Sequence, residues 1–246
     1  MTQLSVNLNK VCLVRNARGA DHPKIEDVAR LCIGAGCKGL TLHPRVDERH
    51  ATLDDVYRIA RMEEVSSGEI ELNIEGDARD VLLKVVREVQ ATQFTLVPAK
   101  AEELTTERGW RRGQDSDEDM RRVTEALTPE TRISLFVDAQ LDAVELAAER
   151  RLAAVEFHTF FYAETFGTVK NEEVLRGIEE AAALARQRGL RVHAGHDLNL
   201  ENLPKLISRV RPDEVSIGQA LVTEALLQGM PLSTAAYCQA IAKGLQ

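Results

Sequence analysis

"RISLFVDAQLDAVELAAERRLAAVEFHT", residues 132–159, sets a short apolar run, an amphipathic stretch and a second short apolar run in succession. RISLFVDA (132–139) and AAVEFHT (153–159) are rich in branched and aromatic residues and end in polar ones, as strands do. Between them, LDAVELAAERR (141–151) carries its apolar residues at helical spacing. A strand, a helix and a strand with brief connections form a parallel βαβ unit.

The unit recurs along the chain. Further strand-like runs are LSVNLNKV (4–11), GLTLHPR (39–45), IELNIEG (70–76), QFTLVPA (93–99), RVHAGHD (191–197) and EVSIGQA (214–220). Helical stretches separate them: KIEDVARLCIGAG, which ends in Gly; TLDDVYRIARM, which opens on Thr and two acids; DARDVLLKVVREVQ; DEDMRRVTEAL; NEEVLRGIEEAAALARQRG; LENLPKLISRV; and STAAYCQAIAKGL. Eight alternating units in 246 residues predict an α/β chain folded as one (β/α)8 TIM barrel, a single domain over 1–246. The doubly wound sheet is the alternative, but no GxGxxG follows the first strand. The longest irregular stretch, residues 97–119, holds the only tryptophan, Trp110, which either closes over a ligand or packs on the rim.

Composition excludes several functions. A net charge of −8 argues against a nucleic-acid partner, which usually meets a basic field. Cys12, Cys32, Cys37 and Cys238 show no CxxC pair or metal spacing and read as reduced thiols. MTQLSVNLNK lacks the pattern of a signal peptide, and no apolar run approaches the ~18 residues of a membrane span. The expectation is a cytoplasmic protein with no membrane partner.

In a TIM barrel the active site lies at the C-terminal ends of the strands. Here those ends carry Asn7, Asn9, His43, Arg45, Glu75, Lys100, Asp138, Glu156, His158, His193, His196, Gly218 and Gln219, whereas the strand beginnings read as apolar or neutral. Packing alone does not explain so many polar groups on one rim, because each costs free energy when buried unpaired. His43, Glu75 and His196 come from strands two, three and seven, and a barrel aims them at one centre, where they can exchange protons. Arg18, Arg45 and His50 suit phosphate oxygens, and Thr105 adds a hydroxyl from the long loop. The residues imply proton transfer on a small phosphorylated substrate. Metal catalysis fits poorly: strand one has NLNK rather than His-x-His, and His193 and His196, three apart, face opposite sides of a strand. Lys10 and Lys100 are Schiff-base candidates or exposed rim lysines.

NLNKVCLVRNARG, LTLHPRVDERH, LNIEG, LVPAKAEELTTE, SLFVDA, EFHT, VHAGHDL and SIGQA occur in an order and spacing that resemble the pyridoxine 5′-phosphate synthase family over nearly the whole chain. The resemblance implies a TIM barrel with extra helices, a homo-oligomer (an octamer), and no metal or other cofactor. It implies condensation of 1-deoxy-D-xylulose 5-phosphate with 3-amino-2-oxopropyl phosphate, releasing phosphate and water. On that resemblance His43 is the general base, Glu75 a second acid/base group and His196 the proton donor. Arg45, His50 and Thr105 would hold the deoxyxylulose phosphate; Asn7, Arg18 and Gly218 the amino ketone phosphate. The chain departs from the family pattern at Asn9-Lys10 (usually Asp-His), Phe160 and Asp197 (usually Gly) and Gln219 (usually His). A carboxylate ~4 Å from a phosphate costs on the order of 4 kcal/mol at an effective dielectric near 20, which Lys10 would partly offset. Two alternatives stay open: a paralogue with a different phosphorylated second substrate, and a barrel that binds a sugar phosphate without turning it over.

Overall fold

A computed structural model describes residues 1–98 and 108–246; Lys100 and Thr105 lie outside the described residues. Eight parallel strands, β1 (Gln3–Asn7), β2 (Gly39–Leu42), β3 (Glu71–Gly76), β4 (Gln93–Leu96), β5 (Arg132–Val137), β6 (Ala154–His158), β7 (Arg191–Gly195) and β8 (Glu214–Ile217), close a barrel in sequence order. The closed barrel, not the doubly wound sheet, is the fold. Closure comes from β1 pairing with β8 through Leu4↔Val215 and Val6↔Ile217.

Strand periodicity explains what lies on each side of the wall. One alternating set is apolar: Leu4 and Val6, Leu40 and Leu42, Leu72 and Ile74, Phe94 and Leu96, Leu135 and Val137, Val155 and Phe157 all join the core under the helices. Burying each such side chain contributes roughly 1.5–3 kcal/mol. The other set points into the lumen and is polar. Gln93 meets His193 at 3.3 Å, Thr95 meets Glu156 at 3.5 Å, and Ser216 meets Thr41 at 3.4 Å, each bond crossing between non-adjacent strands. The lumen therefore departs from the branched aliphatic filling usual in TIM barrels. The strand beginnings correct the sequence reading for the same reason. They are not apolar: Glu71 pairs with Arg132, and buried Glu214 sits in register with His193.

Element ends also differ from the expectations. The first strand stops at Asn7 instead of residue 11, because Asn7 Oδ1 accepts the Asn9 N–H at 3.1 Å and turns the chain into a helix, Asn9–Asn16. Lys10 is therefore on the first turn of a helix and not at a strand end. Likewise the run 214–220 ends as a strand at Ile217, and Gln219 opens the helix Gln219–Gln228. A short helix, Phe160–Thr165, follows β6. The helix Leu53–Ala60 starts as expected, with Thr52 and Asp55 forming a reciprocal capping box. Trp110 packs into the core: it is 4% exposed, and its backbone N–H donates to the Phe136 carbonyl at 2.7 Å. Beside it only glycine fits at 109, where an added Cβ would lie 1.9 Å from the Asp138 nitrogen. Among the described residues no helix is long and apolar enough to cross a membrane.

Candidate active site

The C-terminal mouth of the barrel holds a cavity of about 360 Å³. Its wall brings together Asn7, Asn9, Lys10, His43, Arg45, His50, Glu75, His196, Asp197, Gly218 and Gln219, as the sequence reading expected of one site. Arg18 is not among them: it is exposed in the turn after the helix Asn9–Asn16. The neighbouring Arg15 is the buried one, bidentate with Asp55, and sequence reasoning missed it.

The turn that ends β1 builds the first wall. Asn9 Oδ1 accepts the His43 backbone N–H at 2.8 Å, so the start of the helix after β1 holds the residue after β2. The Asn7 amide donates to Glu75 Oε2 at 3.4 Å, and His43 Nδ1 lies 3.8 Å from the same oxygen. Gly218 lets β8 close in, since a Cβ there would stand 3.1 Å from the Asn7 Cβ.

Burial and neighbouring cations tune these groups. Burial, then Arg45, His50 and Arg79, drive the His43 pKa down to about 3, so its imidazole is neutral with a lone pair available. Burial, then Lys10 and Arg45, bring His50 to about 4. Burial pushes Glu75 up to about 7, against opposing influence from His196 and the Asn7 amide. A carboxyl poised near neutrality can both give and take a proton.

Across the cavity, β6 and β7 supply a second group. His196 (φ 83°) and Asp197 (φ 57°) are both left-handed, an arrangement costing on the order of 1–3 kcal/mol each for side-chain-bearing residues. Thr159 holds this bend: its hydroxyl donates to the carbonyls of Gly195 and His196 at 2.7 and 2.5 Å. Asp197 meets His196 Nδ1 at 3.1 Å, which holds its carboxylate below the usual range against opposing burial. The Asp197 charge is thus engaged by His196, with Lys10 also acting on it. His158 stands edge-on to His196 at 4.6 Å between ring centroids and contacts Asp138 at 3.4 Å. His193 lies deeper in the lumen, against Gln93.

Glu156 is the residue that sequence reasoning placed on the rim without giving it a task. It is 2% exposed, lines the cavity, and is pushed well above the carboxylate range by burial and by the charges of Glu75 and Glu214. Gly195 makes room for it: a Cβ there would lie 2.4 Å from Glu156 Oε1. The signal was strand parity, since Glu156 and His158 fall on the same side of β6. Among the described residues, no three His, Cys, Asp or Glu side chains are grouped to hold a metal ion.

Residues 4–243 match the family model described as pyridoxal phosphate biosynthesis protein PdxJ. The pyridoxine 5′-phosphate synthase of Parabacteroides distasonis is 40% identical over 96% of this chain and 98% of its own. That of Cytophaga hutchinsonii is 38% identical over 99% of this chain and 100% of its own. Among solved structures, phosphoribosylanthranilate isomerase from Thermotoga maritima superposes with a TM-score of 0.59 at 15% identity, covering 98% of this chain and 99% of that one. KGPDC from Streptococcus mutans gives a TM-score of 0.64 at 13% identity, covering 100% and 99%. At such identities these two structures speak for the barrel alone.

Proposed function

The chain belongs to the PdxJ family of pyridoxal phosphate biosynthesis proteins, and from that premise we propose that it is a pyridoxine 5′-phosphate synthase working by His/Glu acid–base catalysis. Its substrates on this reading are 1-deoxy-D-xylulose 5-phosphate and 3-amino-2-oxopropyl phosphate. The observation that carries the reading is the placing of His43, Glu75 and His196 around one cavity that also holds Arg45, His50 and Lys10.

Building a pyridine ring from two ketones needs three kinds of proton movement. An amine must lose protons as it condenses with a carbonyl, a carbon beside a carbonyl must lose one, and an oxygen that leaves as water must gain one. His43, neutral and 3.8 Å from Glu75, is the general base; Glu75 takes the proton on or returns it. His196, on the opposite wall with Nδ1 turned to Asp197, is the proton donor. Arg45, His50 and Lys10, with Thr105 and Asn9, hold the ketose phosphate. Asn7, Gly218 and Gln219 hold the amino ketone, while Arg18, exposed outside the cavity, takes no part in this reading.

The four cysteines are free, which supports a cytoplasmic setting. The whole chain acts as one domain, in an assembly of several copies. Leu226 and Leu227, 76% and 86% exposed on one helix, support such an assembly, because large apolar side chains side by side favour being covered.

Purified protein supplied with both substrates is expected to form pyridoxine 5′-phosphate, and its expression to restore growth of a pyridoxine auxotroph. Product that forms only when both substrates are present supports the reading. A folded protein that binds the ketose phosphate yet gives no product and no growth leaves the sugar-phosphate binder standing. Product only with another phosphorylated amine leaves the paralogue.

A further inference from the structure

We infer that Asn16, which does not line the cavity, is a positioning residue that sets the anion-binding corner of Arg45 and His50. The inference rests on the reading of that corner given above.

Residues 45–50 connect β2 to the next helix without regular structure, and Glu48 sits at φ 50°. His50 Nδ1 is buried and meets no hydrogen-bonding partner among the described residues. The place of the ring therefore follows from where the backbone carries it. Asn16 grips that backbone at its far end. The Asn16 amide nitrogen faces the carbonyls of Glu48, Arg49 and His50 at 3.2, 3.2 and 2.8 Å.

The orientation of this amide is itself decided by chemistry. Asn16 Oδ1 accepts from Arg15 Nε at 3.1 Å and from an Arg15 terminal nitrogen at 2.9 Å. A guanidinium only donates, so Asn16 must turn its oxygen to Arg15 and its NH2 to the three carbonyls. Arg15 is in turn locked to Asp55, and Asp55 Oδ2 accepts the Thr52 N–H at 2.8 Å. The chain of contacts runs from the end of the helix Asn9–Asn16, through one amide, to both sides of the segment that carries His50.

The test uses the full chain and inorganic phosphate, titrated calorimetrically into wild type, Asn16→Ala, Asn16→Asp and Arg45→Ala, with melting temperatures alongside. Asn16→Asp keeps the shape but sets an oxygen against three carbonyls, so it tests the same contact if the alanine variant folds poorly. The phosphate binding that depends on Arg45 is expected to weaken about tenfold in Asn16→Ala, the worth of roughly one to two hydrogen bonds. In turnover, KM for the ketose phosphate is expected to rise by a similar factor with kcat within about threefold. Wild-type phosphate affinity in both Asn16 variants overturns the inference, as does a fall in kcat at unchanged KM. Wild-type affinity in Arg45→Ala instead overturns the reading of the corner, and the inference with it.

Discussion

His43 Nδ1 stands 3.8 Å from Glu75 Oε2, and the two groups are driven in opposite directions: the histidine down to about 3, the carboxyl up to about 7. The same burial does both, because it penalises the charged form, which is the cation for one and the anion for the other. The pair is therefore largely uncharged below neutrality and gains a negative charge as pH rises through about 7.

Turnover is expected to change with an inflection near pH 7 that belongs to Glu75. Glu75→Gln should lower kcat by about 10²- to 10⁴-fold, the usual range for an acid–base group, and remove that inflection. A pH–rate profile of wild type and variant checks it; an inflection that survives in the glutamine variant assigns it to another group.

His43→Asn keeps a side chain of similar size without a basic nitrogen. It is expected to cost about 10²- to 10⁴-fold in kcat while phosphate affinity stays within a few-fold, since Arg45 and His50 are untouched. Steady-state kinetics beside calorimetry separates the two. A parallel loss of affinity and turnover would make His43 a binding group.

Gly195→Ala places a methyl group where the Glu156 carboxyl now lies, 2.4 Å from Oε1. Overpacking of this kind typically costs about 1–3 kcal/mol. For a chain of this size the melting temperature should fall by roughly 2–10 °C. Activity should fall as well, because the displaced carboxyl lines the cavity. A variant as stable and active as wild type would mean that Glu156 has room to retreat.

Glu214, in the lumen away from the mouth, is pushed up to about 7 by burial and by Glu71. Folded, it holds its proton more tightly than the unfolded chain does. Its contribution therefore favours folding below the ordinary carboxylate pKa and is lost as pH rises through about 7. Glu214→Gln should gain stability relative to wild type between pH 5 and pH 8, by on the order of 3 kcal/mol. Urea unfolding at the two pH values measures the difference; no change across that range means the carboxyl finds a partner when ionised.

The βαβ alternation and the eight-fold count were legible because the apolar side of each strand repeats with a period of two and each helix face with a period near 3.6. His43, Glu75 and His196 were legible as strand-end residues that packing does not require. The ends of β1 and β8 were not, since the turn at Asn7 depends on one side chain bonding to the backbone two residues on. Arg18 and Arg15 sit three apart on a similar local pattern, yet one is exposed and the other pairs with Asp55, forty residues away in sequence. Nothing local distinguishes them.

Read alone, the chain determined its class, its barrel, and the end of the barrel where His43, Glu75 and His196 gather around one cavity. Those follow from periodicity and residue type, which act over a few neighbours. Only the folded molecule decided that the charge of Glu75 acts on buried Glu156, that Thr159 holds the bend carrying His196 and Asp197, and that Asn16 grips the segment bearing His50. Each of these depends on desolvation or on a hydrogen bond across the chain, and both arise only when distant segments meet.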